Sequence, residues 1–473
     1  MTAGPQVTPT REPADWEERN RYYHELIESH LTFYASRLDS LLVLGCGTGR
    51  IFRSVSARVC VGIDVRPDVI RRAREGGRGR PETEFHQVAD YRSLPDLNRT
   101  FDMVILYDVL AELTDIEAVL DALRRVMTAR SRLVLNFHSH LWLPLLRTAE
   151  RLGLKRPAGT ATWVTREDAL NFLSLSDYDL VTREQCILLP KKLLGLGPLV
   201  NRWIAPLPIV NGLCLENVMV ARPVGHTMRH DAPSVTVVVP ARNEAGNIEA
   251  VAQRLPAMGR WTELIFVEGH STDRTWEEIE RVRAQHPGRR IQAFRQPGHG
   301  KADAVRLGFE KAEGDLLMIL DADLTVAPEE LVKFYKAIVD NKGEFINGCR
   351  LVYPVEKQAM RFLNMVANKL FGWLFTWLLG RRYRDTLCGT KVLWKADYLK
   401  IAAGRDFFGE FDPFGDFDLI FGAARRALKT VEIPVRYKER TYGATNIRRF
   451  LHGLLLLRMS LLAARCLKFK RLL

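Results

Sequence analysis

The stretch Leu316-Leu-Met-Ile-Leu-Asp-Ala-Asp323 joins a run of five large apolar residues directly to two carboxylates. A continuous apolar run of this length is typical of a parallel strand that is buried on both faces. Asp321 and Asp323 are two residues apart, so at the end of a strand both side chains can point the same way. Carboxylate oxygens suit Mg²⁺ or Mn²⁺ beside a diphosphate. The alternative is that the two aspartates only cap the strand and begin a turn.

Three polar motifs precede this strand, and two of them follow an apolar run. The run at residues 235–240 leads into Ala241-Arg-Asn-Glu244, and the run at 264–267 leads into Glu268-Gly-His-Ser-Thr-Asp-Arg-Thr275. The third is the glycine-rich turn Pro297-Gly-His-Gly-Lys-Ala-Asp-Ala304, which enters a helical pattern. Strands that alternate with helices build a parallel sheet whose ligand site lies at the carboxyl ends of the strands. The position of these motifs therefore favours a joint ligand site over isolated caps.

With these motifs, residues 233 to about 449 resemble an inverting family 2 glycosyltransferase of the GT-A fold. The pattern is similar to that of dolichyl-phosphate mannosyltransferases and bacterial polyprenyl-phosphate sugar transferases. The matching motifs are Pro240-Ala-Arg-Asn-Glu244, Ser271-Thr-Asp-Arg-Thr275, Gly298-His-Gly-Lys301, Asp321-Ala-Asp323, Gly348-Cys-Arg350, Arg384-Asp-Thr386 with Gly389, and Arg440-Thr-Tyr-Gly-Ala-Thr445. Two positions depart from the family: Glu268-Gly269 replaces paired aspartates, and Thr445-Asn446 replaces a closing Ser-Lys.

The resemblance implies a role for each matched side chain. The nucleotide pocket would be lined by Pro240, Asn243, Glu244 and Glu268. The metal, Mg²⁺ or Mn²⁺, would be bound by Asp321 and Asp323. Phosphate groups of the donor or acceptor would be met by Lys301, Arg350 and Lys391. The catalytic carboxylates would be Asp321, Asp323, Asp385 and Asp418.

The nature of the acceptor decides whether a general base is needed. A lipid monophosphate is already largely ionised near neutral pH, whereas a hydroxyl acceptor requires a positioned carboxylate. The cluster able to supply one contains Glu410, Asp412, Asp416 and Asp418. Asp416 can equally be the N-cap of a helix predicted at residues 419–428. We favour Asp418 for a role in the pocket.

The N-terminal half carries a different pattern. A short apolar strand at residues 40–44 leads into Gly45-Cys-Gly-Thr-Gly49, and a second strand at 59–63 ends in Asp64. Arg50 stands where a dinucleotide fingerprint requires glycine. Together with Asp90, this pattern resembles a class I S-adenosylmethionine-dependent methyltransferase with a Rossmann-like fold. The resemblance implies that Gly45, Gly47, Gly49, Asp64 and Asp90 bind S-adenosylmethionine.

The sequence says less about catalysis in this half. Val43 stands where many relatives have an acid that supports the methionine end of the cofactor. His138 and His140 are the best candidates for a base, although paired histidines are more often structural or surface residues. They do not predict a metal site, because the neighbouring sequence offers no third ligand. A regulatory or docking module therefore remains an alternative for this domain.

Length and composition fit two α/β domains in a reducing compartment. The chain has 473 residues, which is longer than a single hydrophobic core usually supports. Its seven cysteines show no Cys-x-x-Cys spacing. We expect no signal peptide, because the N-terminus is polar and contains proline and acidic residues. The predicted divisions are a disordered N-terminus at 1–20, the methyltransferase-like domain at 21–222, a linker at 223–233, the glycosyltransferase domain at 234–449, and an amphipathic basic helix at 450–473.

The net charge of +13 does not indicate nucleic-acid binding, because the basic residues of the C-terminal part alternate with apolar segments. Helical patterns at 361–379 and 450–467 have wide apolar surfaces, which favours helices lying in a membrane interface. Two arginines in the second would cost roughly 2.5–3.5 kcal/mol each near a bilayer centre, which disfavours a membrane span. The alternative is that these helices pack inside the domain or against another subunit.

These observations predict a peripheral enzyme on the cytoplasmic face of a membrane. It would move a sugar from a nucleotide sugar to a polyprenyl phosphate. One alternative is transfer to a hydroxyl of a glycan or small molecule, with the first domain methylating the product. The sequence does not identify the sugar, the nucleotide, the methyl acceptor or the oligomeric state.

Overall fold

The computed structural model describes residues 18–35, 38–55, 57–76, 82–154, 164–224, 232–353, 362–407, 417–440, 442–443 and 449–469. The chain forms two compact units, Met1–Val224 with Lys468–Leu473, and Gly225–Leu467. The division falls inside the predicted linker 223–233. Most of the predicted disordered segment 1–20 lies outside the described residues.

The first unit contains a seven-stranded sheet. Its order is β3-β2-β1-β4-β5-β7-β6, and β7 runs antiparallel to both of its neighbours. The strands are β1 (Leu38–Leu44), β2 (Ala57–Asp64), β3 (Thr83–Gln87), β4 (Phe101–Leu106), β5 (Met127–His138), β6 (Tyr178–Cys186) and β7 (Glu216–Pro223). The helices are α1 (Arg21–Phe33), α2 (Pro67–Gly76), α3 (Ile116–Arg124), α4 (Leu143–Arg151), α5 (Arg166–Leu175) and the single turn α6 (Leu196–Leu199). The predicted Rossmann-like fold is confirmed.

Apolar runs place the central strands of this sheet in the core. The last four residues of β1, residues 41–44, have no exposed surface, and the ends of β2 and β4 are equally buried. Because β1, β2, β4 and β5 are parallel, their carboxyl ends meet at one edge. Glu216, the first residue of antiparallel β7, pairs with His138 at the same edge. This edge therefore collects the glycine-rich turn, Asp64, His138 and Glu216.

The second unit contains another seven-stranded sheet, in the order β10-β9-β8-β11-β13-β12-β14, with β13 antiparallel to both neighbours. The strands are β8 (Val235–Ala241), β9 (Thr262–Glu268), β10 (Arg290–Arg295), β11 (Leu316–Ile319), β12 (Phe345–Cys349), β13 (Lys391–Trp394) and β14 (Thr430–Pro434). The helices are α7 (Ala245–Arg254), α8 (Thr275–Gln285), α9 (Lys301–Lys311), α10 (Leu331–Val339), α11 (Phe362–Leu379), α12 (Lys395–Ala402), α13 (Phe417–Arg425) and α14 (Arg449–Ala464). The mixed α/β fold agrees with the prediction.

Helix α13 differs from the predicted helix at residues 419–428. It begins at Phe417 and ends at Arg425. Ala427 has a positive φ of 48°, a conformation that a helix does not continue through. The N-cap role predicted for Asp416 lies outside the described residues, as do Glu410 and Asp412.

The two apolar helices, α11 and α14, each have one buried face and one exposed face. In α11, Phe375 is buried and stacks on Phe421 with ring centroids 5.4 Å apart, whereas Trp373 is 61% exposed. In α14, Leu456 is buried and Leu461 is 63% exposed. Neither of the two predicted alternatives therefore describes a whole helix. No helix among the described residues combines the length and hydropathy that a bilayer span requires.

Candidate functional site

Asp321 follows β11 at the carboxyl edge of the second sheet and faces a group of basic side chains. Its Oδ1 lies 2.6 Å from Nζ of Lys301, the first residue of α9. Desolvation acts to raise the pKa of Asp321, but the charges of Lys301, Lys391 and Arg350 outweigh it and lower this pKa. The strand and helix thus bring together the aspartate and the three cations that the resemblance assigned to phosphate.

Asp323 has a different basic partner. Its Oδ2 lies 2.8 Å from Nη2 of Arg440, and its Oδ1 accepts hydrogen bonds from the backbone N–H and the hydroxyl of Thr325 at 3.1 and 2.8 Å. The other terminal nitrogen of Arg440 lies 3.1 Å from Oε1 of Glu244. Desolvation raises the pKa of Glu244, and Arg440 opposes that shift. Arg440 therefore joins the motif after β8 to the aspartate pair.

The predicted nucleotide-pocket residues lie in two adjoining loops. Asn243, two residues beyond β8, has a positive φ of 57°, and its Oδ1 accepts the N–H of Thr272 at 2.7 Å. Its own N–H donates to the hydroxyl of Ser271 at 3.0 Å. Glu268 ends β9, is buried, and accepts the N–H of Ser271. With Pro240 near the end of β8, these contacts place Asn243 and Glu268 side by side.

Arg350 and Asp385 form a buried pair. Nε and Nη2 of Arg350 donate to the two oxygens of Asp385, both at 2.8 Å, and Nδ2 of Asn368 donates to the same carboxylate at 3.3 Å. Burial acts to raise the pKa of Asp385, but Arg350 outweighs it and lowers this pKa to about 2. Lys391, fully buried, donates from Nζ to the carbonyl of Cys388. The charged pair fixes the position of Arg350 relative to α11, which carries Asn368.

Asp418 lies in α13, where its Oδ2 contacts two arginines. Nε of Arg405 lies 2.9 Å away and Nη2 of Arg306 lies 3.3 Å away. Its side chain is only 12% exposed. Both guanidinium groups lie against this carboxylate and balance its negative charge. The catalytic role of Asp418 stays a prediction. Thr445 and Asn446, where the chain departs from the family, lie outside the described residues.

The oxygen atoms near Asp321 fit a hard divalent cation. Asp321 and Asp323 supply carboxylates, the donor type that Mg²⁺ and Mn²⁺ prefer. Gly389 packs directly against this pair, since a Cβ there would lie 2.0 Å from Oδ2 of Asp321 and 2.6 Å from Nζ of Lys301. The chemistry of the donors is consistent with a cation beside a diphosphate.

In the first unit, the glycine-rich turn takes a backbone conformation that favours glycine. Gly45, Gly47 and Gly49 have φ values of 75°, 54° and 76°. A Cβ at Gly45 would also lie 2.6 Å from the carbonyl oxygen of Tyr107. The N–H of Gly47 donates to Oδ2 of Asp64 at 3.0 Å, and Asp64 is fully buried. The turn and the acid are therefore in direct contact, as their spacing predicted.

Both predicted cofactor acids are paired with an arginine two residues later. Arg66 donates from Nε and Nη2 to the two oxygens of Asp64, at 2.9 and 3.0 Å. Arg92 pairs with Asp90, and its hydrogen bonds lower the pKa of Asp90. Cofactor binding by these acids stays a prediction, and Asp64 would exchange donors when a ribose hydroxyl arrives.

His138 lies in a cluster with two carboxylates, which we call the acid–imidazole cluster: Asp108, His138 and Glu216. One potential ligand atom from each lies within 4.8 Å of the others, a spacing that could hold a metal ion. The Tyr23 hydroxyl lies 3.1 Å from Oδ2 of Asp108 and 2.8 Å from Oε1 of Glu216, and Asn136 donates to both carboxylates at 2.7 and 3.2 Å. Nδ1 of His138 pairs with Glu216.

Two stretches of the chain match known protein families. Residues 42–135 match the family described as a methyltransferase domain, and residues 236–393 match the one described as glycosyl transferase family 2. The chain combines a methyltransferase domain with a family 2 glycosyl transferase domain. Both resemblances seen in the sequence are thereby confirmed.

Curated relatives match the glycosyl transferase domain. The undecaprenyl-phosphate 4-deoxy-4-formamido-L-arabinose transferase of Edwardsiella ictaluri is 29% identical over 214 residues, 44% of this chain and 61% of that protein. The dolichol-phosphate mannosyltransferase of Pyrococcus furiosus is 33% identical over 137 residues, 28% of this chain and 38% of that protein. The chain thus spans less than two thirds of either relative. A solved magnesium protoporphyrin IX methyltransferase from Synechocystis, with bound SAH, covers 47% of this chain and 90% of its own at 15% identity and a TM-score of 0.31.

The sequence did not predict several contacts in these two domains. In the sequence, Arg440 stands out only as the first residue of a motif. Its ion pair with Asp323, 117 residues earlier in the chain, depends on the fold, and so does its ion pair with Glu244. In the methyltransferase domain, the sequence around His138 offers no further ligands, but the fold brings two distant carboxylates beside it. Its partners Asp108 and Glu216 come from the ends of β4 and β7, which the sheet brings beside β5. The acids in Tyr107-Asp108 and Leu215-Glu216 were the available signals.

Proposed function

We propose that the chain transfers a sugar from a nucleotide-sugar donor to a polyprenyl phosphate by a single inverting displacement at a membrane surface. The observation that carries this proposal is the 2.6 Å ion pair between Asp321 and Lys301, to which Lys391 and Arg350 add further positive charge. A site that combines a carboxylate able to bind a metal ion with nearby cationic side chains suits a reaction in which the leaving group and the acceptor both carry phosphate. The named activities of the two curated relatives point to the same acceptor class.

On the donor side, Asp321 and Asp323 would hold Mg²⁺ or Mn²⁺, which when bound neutralises charge that develops on the leaving diphosphate. Asn243, Glu244 and Glu268 would bind the nucleoside. Arg440 holds Glu244 and Asp323 in one arrangement, so nucleoside recognition and diphosphate binding would be built on the same contact. Lys301 would meet the diphosphate at the N-terminus of α9, where the helix dipole adds favourable potential.

On the acceptor side, the structure favours a phosphate over a hydroxyl. Asp418 was the described candidate for a general base, but its carboxylate contacts Arg405 and Arg306. Its Oδ2 is thus engaged by two guanidinium groups rather than presented to an acceptor hydroxyl. A lipid phosphate needs no such base, because its attacking oxygen is already ionised. Transfer to a glycan or small-molecule hydroxyl is therefore the second candidate.

Membrane association would use the outer faces of α11 and α14. Leu370 and Trp373 of α11 and Leu454 and Leu461 of α14 are each more than 60% exposed. In α11 the polar side of the helix faces the protein instead: Asn368 contacts Asp385, and Thr376 accepts the N–H of Tyr383 at 3.0 Å. We place the enzyme on the cytoplasmic face, consistent with seven described cysteines that form no disulfide.

For the methyltransferase domain we propose binding of S-adenosylmethionine by the glycine-rich turn, with Asp64 and Asp90 receiving polar groups of the nucleoside. The acid–imidazole cluster favours an active enzyme over a docking module. Glu216 is fully buried with a carboxylate oxygen beside Nδ1 of His138, an arrangement that orients the imidazole. A hydroxyl-bearing acceptor at this edge would give up its proton to His138.

A screen of labelled nucleotide sugars against a short-chain polyprenyl phosphate in detergent tests the main activity. We expect label to enter the organic phase with one donor, in a reaction that excess chelator stops. Label that appears only in a water-soluble product, with a glycan or small-molecule acceptor added, would instead support the second candidate. Absence of transfer to either acceptor class across all donors would refute the proposal.

A further inference from the structure

In the segment from Leu193 to Leu213 of the methyltransferase domain, polar side chains are buried and large apolar side chains are exposed. Its polar side chains face the protein: Asn201 is only 3% exposed, and its Oδ1 accepts the N–H groups of Leu188 and Leu189 at 2.8 and 2.9 Å. Nδ2 of Asn201 donates to the carbonyl of Leu189 at 2.7 Å. Asn211 likewise donates to the carbonyl of Gln185. The amides that a water-exposed loop would present outward are used here as internal anchors.

The large apolar side chains of the same segment point away from the protein. Leu194 is fully exposed and Ile209 is 90% exposed, and five others have more than half of their surface accessible. Those five are Leu193, Leu196, Leu199, Leu213 and Trp203, and one face of the Trp203 ring stacks on Phe469 with ring centroids 5.4 Å apart. So many exposed large apolar side chains in one short segment are unusual on a soluble protein and mark a site where another apolar phase or partner binds.

The segment keeps this arrangement through contacts with its neighbours. Besides the two asparagines, Nε1 of Trp142 donates to the carbonyl of Leu213 at 2.8 Å, which joins the segment to the start of α4. Leu141 and Leu145, on either side of Trp142, are 64% and 61% exposed. The apolar surface therefore continues from residues 193–213 onto the start of α4.

The charges in and beside the segment favour a lipid surface over a protein partner. Residues 187–213 contain Lys191, Lys192 and Arg202 and no acidic residue. The Arg202 guanidinium lies 5.2 Å from the ring centroid of Trp203, so one cation accompanies an exposed aromatic ring. An apolar face with basic residues and an interfacial tryptophan is the pattern of segments that lie in an anionic bilayer interface.

We propose that residues 193–213 are a second membrane-docking surface, carried by the methyltransferase domain, with Leu194, Trp203 and Ile209 among the acyl chains of an anionic bilayer. Lys192 and Arg202 would lie at the headgroups. This surface belongs to the domain that sugar transfer does not use, so the inference goes beyond the proposed glycosyltransferase activity and can fail independently of it. It implies that the methyl-transfer edge works close to the membrane.

Vesicle flotation of the full chain tests the inference. To remove binding by the outer faces of α11 and α14, all proteins carry Leu370→Ser, Trp373→Ser, Leu454→Ser and Leu461→Ser, and the vesicles are phosphatidylcholine with or without phosphatidylglycerol. We expect this background protein to bind the anionic vesicles, and adding Leu194→Ser with Ile209→Ser to weaken binding at least tenfold. The control replaces an exposed leucine elsewhere, Leu399→Ser, which is 56% exposed in α12 and should leave binding unchanged.

Three outcomes would overturn the docking surface. These are a background protein that does not float, a variant with the two added substitutions that floats as well as the background, and a concentration-dependent dimer without lipid that the same two substitutions abolish. Thermal melting of each variant should stay unchanged, because the replaced side chains are exposed. Sugar transfer to a short-chain acceptor in detergent should also stay unchanged, which separates failure of this inference from failure of the proposed activity.

Discussion

Gly389 lies so close to Asp321 that a Cβ at residue 389 would come within 2.0 Å of Oδ2 of that aspartate. The same Cβ would lie 2.6 Å from Nζ of Lys301. The loop before β13 therefore passes directly over the contact between the proposed metal ligand and the lysine. Its backbone can approach only because residue 389 has no side chain.

This closeness predicts a large effect of a single methyl group. Gly389→Ala should displace Asp321 or Lys301 and reduce sugar transfer by about two orders of magnitude, since loss of a charged transition-state contact costs ~2.7–4 kcal/mol. Transfer of label into a lipid extract measures the effect. The control is Gly404→Ala, where the nearest atom to the added Cβ is 3.6 Å away. Equal activity of the two variants would contradict the proposed role of this contact.

The aspartate pair itself gives a second prediction. Asp323→Asn should abolish detectable sugar transfer, because it removes one metal-type oxygen donor and weakens the partner of Arg440. The melting temperature of the second unit and cofactor binding by the methyltransferase domain should change little. Asp340→Asn serves as the control, because Asp340 is an exposed aspartate just beyond α10. Full activity of Asp323→Asn, or activity in excess chelator, would refute the metal assignment.

The buried strands were predictable from the sequence, because each one is a run of large apolar residues. The run at 235–240 lies in β8, and the run at 316–320 contains β11. Asp321 and Lys301 meet because residues that follow parallel strands lie at the same edge of the sheet. The ion-pair partners were not predictable. Arg440 and Glu216 reach their sites through long connections, and nothing in local periodicity shows which acid a distant arginine or histidine will meet.

Helix α11 also has a feature that its sequence could not predict. Its apolar residues predicted a wide hydrophobic surface, but composition could not divide that surface between Phe375, which is buried, and Trp373, which is exposed. The few polar residues of the helix, such as Asn368, gave the only clue in the sequence. Asn368 faces inward because it contacts the buried Asp385, so the opposite side faces outward.

This division predicts opposite results for two neighbouring substitutions. Phe375→Ser should destabilise the second unit by about 3–5 kcal/mol, since it removes a buried aromatic ring that stacks on Phe421. Trp373→Ser should leave the melting transition almost unchanged and weaken vesicle binding. Thermal scanning and vesicle flotation of the full chain distinguish the two effects. A large loss of stability in Trp373→Ser would place that face in the core instead.

His24 predicts how the first unit responds to pH. Burial lowers the pKa of His24 to about 4, and its Nδ1 lies 2.9 Å from the hydroxyl of Tyr107. Because the folded-state pKa lies below the unfolded value of about 6.5, the unfolded chain binds more protons between these values. The neutral histidine thus supports folding fully above pH 6.5, and this contribution is lost as the pH falls to 4. The loss is roughly 3 kcal/mol.

Thermal scans of the full chain from pH 7 to pH 4 measure this dependence. The melting temperature of the first unit should fall through this range, and His24→Gln, which cannot titrate, should flatten the profile. An unaltered slope in the variant would assign the acid sensitivity to another group.

Asp64 gives the last prediction, because it contacts both the glycine-rich turn and Arg66. If its carboxylate receives the ribose hydroxyls of S-adenosylmethionine, Asp64→Asn should weaken binding of that cofactor at least tenfold, since a charge-assisted hydrogen bond is worth about 1.5–3 kcal/mol. Calorimetric titration of the full chain with S-adenosylhomocysteine measures the change, and Asp121→Asn, an exposed substitution in α3, is the control.

Arg66→Ala separates the two contacts of Asp64. Removal of the competing guanidinium should leave affinity unchanged or raise it if the carboxylate binds the ribose, and should lower it if Arg66 itself binds the cofactor. No binding by the unsubstituted chain would favour a docking role for the methyltransferase domain.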